Sequence, residues 1–360
     1  MIIEKFYNIH SLVRLQVRAS ADILQEIDHH LGPFCIGELD AEPHVIIDRY
    51  EAAPAAARAT IVDDYEYGSG IYHRKSIRLW CNLKGAQHRY HMDRLILPIN
   101  LIVQLALLRI GYSFLHGAAL LMNGKAVLFP AYPGTGKTTL VAAFVKQGSK
   151  LFGDDLCIIG KGRLYSYPQA FSVYPHHLTI LPYKDAYVER AFRRTAMIDK
   201  LRAPFENNPH RWSKLVRFIL AQFRVPYVNV MPGRIFGEGS IAQDGVLGKV
   251  IVIERSGEIS SLVQETVDLA DIASQATAIL WHEWHASFHD LLLYDALSES
   301  GRHTLSLFKQ VNDIYSASFK FVPCTRVRIP ASWDNVKLTC EFPKFFRAID
   351  GESNSMRDYA

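Results

Sequence analysis

The stretch Ala131-Tyr132-Pro133-Gly134-Thr135-Gly136-Lys137-Thr138 decides how the rest of the chain is read. It follows the apolar run Ala126-Val127-Leu128-Phe129 and precedes Thr139-Leu140-Val141-Ala142-Ala143-Phe144-Val145. The first run predicts a buried strand and the second a helix, so the glycines fall on a strand-to-helix turn. Such a turn suits an anion. Gly134 and Gly136 free the backbone to direct N–H groups inward, and a helix opening at Lys137 aims the positive end of its dipole at the same point. Lys137 is expected to reach the outer phosphates of a nucleotide and Thr138 to offer its hydroxyl to Mg²⁺, with residues Ala131 to Thr139 forming the cradle. Ala131 stands where the phosphate-loop pattern opens with glycine, and a small residue still fits that turn.

Two further elements flank the loop. Asp154 and Asp155 stand sixteen and seventeen residues beyond Thr138, after the apolar Leu151-Phe152-Gly153, and His116 stands twenty-two residues before it, in Phe114-Leu115-His116-Gly117-Ala118. Between His116 and the loop, Asn123-Gly124 predicts a two-residue hairpin, which folds the His116 strand back beside the strand that feeds the loop. Histidine, loop and aspartate pair are thereby expected as neighbours. A doubled carboxylate allows one of the pair to hold metal while the other takes a proton.

These residues resemble the motifs of the HPr kinase/phosphorylase family and, more broadly, of the phosphate-loop kinases related to phosphoenolpyruvate carboxykinase. The match covers His116-Gly117, the loop with Gly134, Gly136, Lys137 and Thr138, and Gly153-Asp154-Asp155, within about residues 113 to 160. The resemblance implies an α/β kinase domain with a mixed sheet flanked by helices, and ATP with Mg²⁺ as cofactors. It implies Asp155 as the base for an acceptor hydroxyl, Lys137 and Thr138 as holders of phosphate and metal, and His116 in the active site. The family's stretch for reversing the reaction, with its metal-binding glutamate and arginine-glycine pair, would fall near residues 170 to 190. Here Phe171-Ser172-Val173-Tyr174-Pro175-His176-His177-Leu178-Thr179 carries neither. Phosphorylase activity is therefore not expected, and HPr is not implied as acceptor. The family includes hexamers, which leaves a homo-oligomer open.

The chain's 360 residues suffice for two cores. Five scattered cysteines show no zinc spacing and, being odd in number, suit no disulfide framework, so a reducing cytoplasm fits best. Met1-Ile2-Ile3-Glu4-Lys5-Phe6 lacks the layout of a secretory signal. The apolar helix expected over residues 99 to 110 is too short to cross a bilayer, so a membrane partner is not expected. The net charge is +4, but residues 181 to 240 alone hold eleven Lys/Arg against five acids, a balance of +6. That excess suits an acidic partner or simply a solvated helical face. It carries no nucleic-acid reading motif, so no nucleic acid is expected.

Residues 1–95 predict a small α+β accessory domain, with strands at 12–17, 45–47 and 77–81, a helix at 21–31 and an alanine-rich stretch at 52–59. A kinase domain is expected over 96–345, with strands at 113–122, 125–129, 150–152, 156–159, 163–167 and 250–253. Residues 185–235 form a basic helical insertion broken by Pro204 and Pro209, suited to a lid or substrate platform or to an added helical layer. Strand-like runs at 319–322, 326–329 and 336–342 would complete the sheet or pack on the N-terminal domain, and 346–360 is a polar tail.

Two other groups carry possible chemistry. The 250–253 strand ends in Glu254-Arg255, an alternative metal-holding acid followed by a guanidinium. Arg255 is a catalytic candidate for stabilising a transferring phosphate, its ordinary alternative being a surface ion pair. His282, Glu283, His285 and His289 crowd a helix expected over 268–293, and the three histidines at i, i+3 and i+7 share roughly one face. They lack the two-histidine zinc-protease spacing, and a core or surface role is the plainer reading.

The set Lys137, Thr138, Asp154 and Asp155 supplies what phosphoryl transfer needs, namely positioned charge, metal ligands and a base. The expected activity is an ATP-dependent kinase acting on a hydroxyl, first a serine or threonine of a protein or peptide. The alternatives are a small-molecule alcohol as acceptor, or a nucleotide-binding switch or scaffold with only slow hydrolysis.

Overall fold

The computed structural model describes residues 2–49, 59–62, 65–68, 71–74, 77–82, 87–92, 98–175, 177, 180–181, 186–205, 211–222, 227–297 and 303–355. Most of the alanine-rich stretch at 52–59 and His176 lie outside them, as does the side chain of His289.

Alternation builds the N-terminal part. In β1 (Ile3–Ile9) and β2 (Val13–Ala19), Tyr7, Ile9, Val13, Leu15, Val17 and Ala19 point into the core while Arg14, Gln16 and Arg18 do not. The hairpin between them turns through His10 and Ser11, both at positive φ. Helix α1 (Ala21–Leu31) follows as expected, burying Ile23, Leu24, Ile27 and Leu31. Then come β3 (Cys35–Ile36), β4 (Val45–Arg49), β5 (Ala59–Val62), β6 (Tyr65–Gly68), β7 (Ile71–Arg74), β8 (Ile77–Asn82) and β9 (His88–Met92). The described strands form one nine-stranded sheet, ordered β3-β1-β2-β4-β9-β8-β7-β6-β5.

Helix α2 (Ile99–Arg109) is buried on nearly every side. Its one buried amide, Gln104, is satisfied there: Nε2 donates to Ser113 Oγ (2.9 Å) and Oε1 accepts the Phe114 N–H (2.7 Å). The second sheet system starts with β10 (Ser113–Met122), which returns through Asn123-Gly124, both at positive φ, into β11 (Lys125–Pro130). This is the hairpin the sequence predicts. The chain continues through α3 (Lys137–Val145), β12 (Lys150–Gly153), β13 (Leu156–Gly160), β14 (Arg163–Ser166) and β15 (Phe171–Val173). Helices α4 (Ala186–Arg202) and α5 (Arg211–Gln222) precede β16 (Val228–Val230), which pairs back on β15. The last elements are α6 (Pro232–Phe236), β17 (Asp244–Ser256), β18 (Val263–Thr266), α7 (Leu269–Leu297), α8 (His303–Phe319), β19 (Cys324–Pro330) and α9 (Asn335–Ser355).

Strands β10 and β17 each serve two sheets. The first half of β10 pairs with β13, ending at His116↔Leu156, and the second half pairs with β11 from Gly117↔Pro130 onward, with β12 on its other side. Strand β17 pairs successively with β14, with β11 in parallel, and with β19 in parallel. The sheets part at His116-Gly117. A side chain at Gly117 would lie 2.8 Å from the Phe129 carbonyl oxygen, so only glycine lets the backbones approach this closely.

The architecture is α/β, with mixed multi-strand sheets flanked by helices. One face of the second system, with α2, α7 and α8, shares a continuous core with the N-terminal sheet. The other face is covered by α3 and α9. His10 Nε2 lies 2.6 Å from the Ser166 carbonyl oxygen, and Gln169 Nε2 reaches both His30 and Asn100, so polar contacts also join the two parts.

Two expected strands do not form: one run is helical and the other is a helix end followed by a turn. Residues 336–342 belong to α9, where Leu338, Phe342 and Phe346 are buried at a spacing of four and Asp334 Oδ1 accepts the Lys337 N–H as a cap (2.7 Å). The run at 319–322 begins with the last residue of α8, whose Val311, Tyr315 and Phe319 form one buried helical stripe. In α9 a period near 3.6 governs burial where a short apolar run suggested alternation, and after Phe319 the chain turns through 320–322 into β19.

Candidate active site

The point where β10 changes sheets sets the site. It brings His116 beside the end of β11, where the loop begins, and beside the β12–β13 turn that carries Asp154 and Asp155. The Gly117 N–H donates to the Asp155 carbonyl across 2.9 Å, which ties that turn to β10. Gly153 makes the turn possible: a Cβ there would sit 2.0 Å from the Leu156 carbonyl oxygen.

The loop leaves β11 at the fully buried Ala131, turns through Gly134 and Gly136 at φ 76° and 105°, and opens α3 at Lys137. Thr135 Oγ1 ties the turn internally by donating to the Tyr132 carbonyl (2.9 Å). The first turn of α3 carries no side-chain cap, which leaves its N–H groups facing the cleft. Asn335, opening α9, holds the same helix start through Thr139 Oγ1 (3.1 Å).

Lys137 is buried and donates to the Ala131 carbonyl (2.8 Å), with His116 Nε2 3.0 Å away. Burial lowers its pKa, opposed by the charges of Asp155, Asp154 and Glu283. Burial, then the Lys137 ammonium, then His282 push His116 down to about 3. A neutral imidazole beside an ammonium accepts through Nε2, which leaves the ring proton on Nδ1. Asp155 Oδ1 is 4.0 Å from the same nitrogen, and because His116 is neutral this is a polar contact and not an ion pair.

Thr138 Oγ1 donates to Asp154 Oδ2 (2.6 Å). Burial, followed by the charge of Asp155, raises the Asp154 pKa against the pull of Thr138 and Lys137. Its second oxygen, Oδ1, is buried and has no hydrogen-bond partner among the described residues. A hydroxyl and an unsatisfied buried carboxylate oxygen are the hard-oxygen donors that Mg²⁺ takes, so the residues present fit that ion.

These groups line one cleft of about 430 Å³, within the range of small-molecule sites. Asp155 is its exposed acid, with 57% of its side chain open. The structure thus brings His116, Lys137, Thr138, Asp154 and Asp155 together. Arg255 does not join them. It lies behind the loop, where Nε donates to the Thr135 carbonyl (3.2 Å) and Nη1 to the carbonyls of Pro330 (3.1 Å) and Trp333 (2.7 Å). Its guanidinium braces the loop against the β19–α9 connection instead of reaching into the cleft. Glu254 is likewise engaged elsewhere, accepting from Gln275 (2.6 Å) and pairing with Arg326 (3.2 Å).

Several lining residues were not anticipated. Ser172, Tyr174 and His177 come from β15 and the segment after it, Glu283 from α7 and Asn335 from α9. Glu283 had a faint signal in its crowd of histidines; no group of three metal-ligating side chains occurs among the described residues, which do not include the side chain of His289. His282 packs on Tyr132 at 5.7 Å between ring centroids, and His285 Nδ1 lies 2.8 Å from the His282 carbonyl oxygen.

No protein-family model and no curated protein matches the chain. Among solved structures, it is similar to the Hpr(Ser) kinase/phosphatase from Coxiella burnetii at 10% identity and a TM-score of 0.27, covering 67% of this chain and 99% of that one. A likeness of that size carries no functional argument. No helix among the described residues is long and apolar enough to cross a membrane.

Proposed function

We propose that the protein is an ATP-dependent phosphotransferase of the phosphate-loop type that moves the γ-phosphoryl group to a hydroxyl, first a serine or threonine of a protein or peptide. One observation carries the reading: Lys137, the Thr138–Asp154 pair and the open Asp155 carboxylate converge on a single cleft at an uncapped helix start. A glycine turn with a structural role alone needs none of these groups.

Lys137 and the α3 N–H groups hold the β and γ phosphates. Thr138 and Asp154 hold Mg²⁺, which neutralises charge on the phosphate oxygens when bound. Asp155 takes the proton as the acceptor oxygen forms its bond to the γ phosphorus and the bond from that phosphorus to the bridging oxygen breaks, releasing ADP. His116, neutral, keeps Lys137 aimed. The test is incubation with γ-labelled ATP and candidate acceptors. A stable labelled product supports transfer, and release of free phosphate alone would assign the cleft to a nucleotide switch.

A further inference from the structure

Sixteen large apolar side chains are exposed among the described residues, and six of them lie on α4 and α5: Met197, Leu201, Trp212, Leu215, Phe218 and Ile219. On α5, Trp212, Leu215 and Ile219 follow the i, i+3, i+7 spacing of one helical stripe, with Phe218 beside it. Trp212 is 77% and Phe218 64% exposed. Val216 and Leu220, on the other flank of the apolar arc, are only half-buried, so the arc is wider than its packing uses. The sequence of α5 also holds Arg211, Lys214 and Arg217 and no acid, and Arg190, Arg194 and Lys200 of α4 are exposed.

From this arrangement we infer that the α4–α5 face docks on an anionic lipid surface, with Trp212, Leu215, Phe218 and Ile219 entering the interface and the lysines and arginines meeting the headgroups. An apolar stripe bearing tryptophan and phenylalanine, with cations and no acid on the same helix, is the composition of an interfacial helix. Charge decides between occupants. A second copy docked through the same face would set α5 cations against α5 cations, which is repulsive. A peptide helix needs an apolar groove, and neither the hollow at the phosphate loop nor the one between α2, α7 and α8 is lined by α4 or α5. A flat anionic surface needs only the stripe and the charge. Docking on a surface requires no spanning helix, so it revises the expectation of no membrane partner without any inserted segment. Because β15 and β16, the stem of this helical pair, supply Ser172 to the cleft wall, docking would also set the cleft at a fixed height above the lipid.

The test uses the full chain and vesicles of phosphatidylcholine, alone or with phosphatidylserine at about one part in three. The protein is expected to co-sediment with the anionic vesicles and not the neutral ones, more weakly as salt rises. Trp212→Ser combined with Phe218→Ser is expected to abolish the association, and Lys214→Glu to weaken it about tenfold or more. All three positions are exposed, so far-ultraviolet circular dichroism and nucleotide binding should match the parent. Equal sedimentation with both vesicle types, none with either, or binding unaffected by these substitutions overturns the inference. Concentration-dependent dimers lost in the Trp212/Phe218 variant, or competition by a soluble acidic peptide without lipid binding, would reassign the face to a second copy or to a polypeptide. Transfer activity is read separately, in solution without vesicles, so neither outcome bears on the proposed function.

Discussion

Lys137 Nζ lies 3.0 Å from His116 Nε2 and 2.8 Å from the Ala131 carbonyl, so the ammonium at the end of the glycine turn is held by a neutral ring and a backbone oxygen. Two neutral acceptors satisfy a buried cation without cancelling its charge, which leaves it available to a polyphosphate.

Replacing that cation tests the loop directly. If Lys137 holds the phosphates as proposed, Lys137→Ala is expected to weaken ATP binding by about tenfold or more and to lower transfer by a further factor of about 10²–10³, because an ammonium there would stabilise charge in both the bound and reacting states. Titration calorimetry and single-turnover assays separate the two. An unchanged affinity would remove the loop from the site.

Asp155 presents an open carboxylate at the cleft, while the neighbouring Asp154 is buried against Thr138. If Asp155 is the base, Asp155→Asn keeps nucleotide affinity within about twofold and loses about 10²–10⁴ in transfer rate. Asp154→Asn, by contrast, should shift the Mg²⁺ concentration needed for half-maximal activity upward. A variant at Asp155 that turns over normally places the base elsewhere.

The parts of this site that were legible are those fixed by local spacing. Gly134, Gly136, Lys137 and Thr138 share one turn, and Asn123-Gly124 folds His116 back beside it, so a sequence window suffices. Glu283, Asn335 and Ser172 reach the cleft only because α7, α9 and the β15–β16 pair pack there, and nothing within their own segments demands it. Arg255 shows the same divide. Its position at a strand end was readable, but the carbonyls of Pro330 and Trp333 that turn it away from the cleft lie 75 and 78 residues further along. The misread 336–342 run failed for a different reason: Val336 and Leu338 look alternating until Phe342 and Phe346 extend the helical period.

Gly136 combines two constraints. Its φ of 105° disfavours any side chain, and a Cβ would meet Leu338 Cδ2 of α9 at 2.7 Å. Gly136→Ala is expected to cost about 1–3 kcal/mol in urea unfolding from backbone strain, and to weaken ATP binding because the loop must move off α9. Gly148, at φ 94° with nothing within 4 Å of a Cβ, separates the two effects. Gly148→Ala should show a comparable loss of stability with ATP affinity intact. Equal affinities in the two variants would show that the α9 contact does not shape the loop.

Acid stability reports the state of His116. Its folded pKa of about 3 lies below the ordinary 6.5, so between those values the unfolded chain binds a proton that the folded protein refuses. Stability from this group is complete above pH 6.5 and lost as pH falls toward 3, at up to about 1.4 kcal/mol per pH unit. Asp154 has the opposite sign: its raised pKa gives stability that is present at low pH and lost as pH rises through the folded value. The parent slope is therefore a sum, and a substitution isolates one part. His116→Gln, which keeps a hydrogen-bonding group beside Lys137 but does not titrate, should make the stability–pH curve between 6.5 and 4 less steep by about 1.4 kcal/mol per unit, or reverse it where Asp154 dominates. Urea unfolding at several pH values measures this. An unaltered slope would mean that the ring takes up its proton in the fold as readily as in the unfolded chain, and a cationic ring cannot accept the Lys137 hydrogen bond on which its place in the site depends.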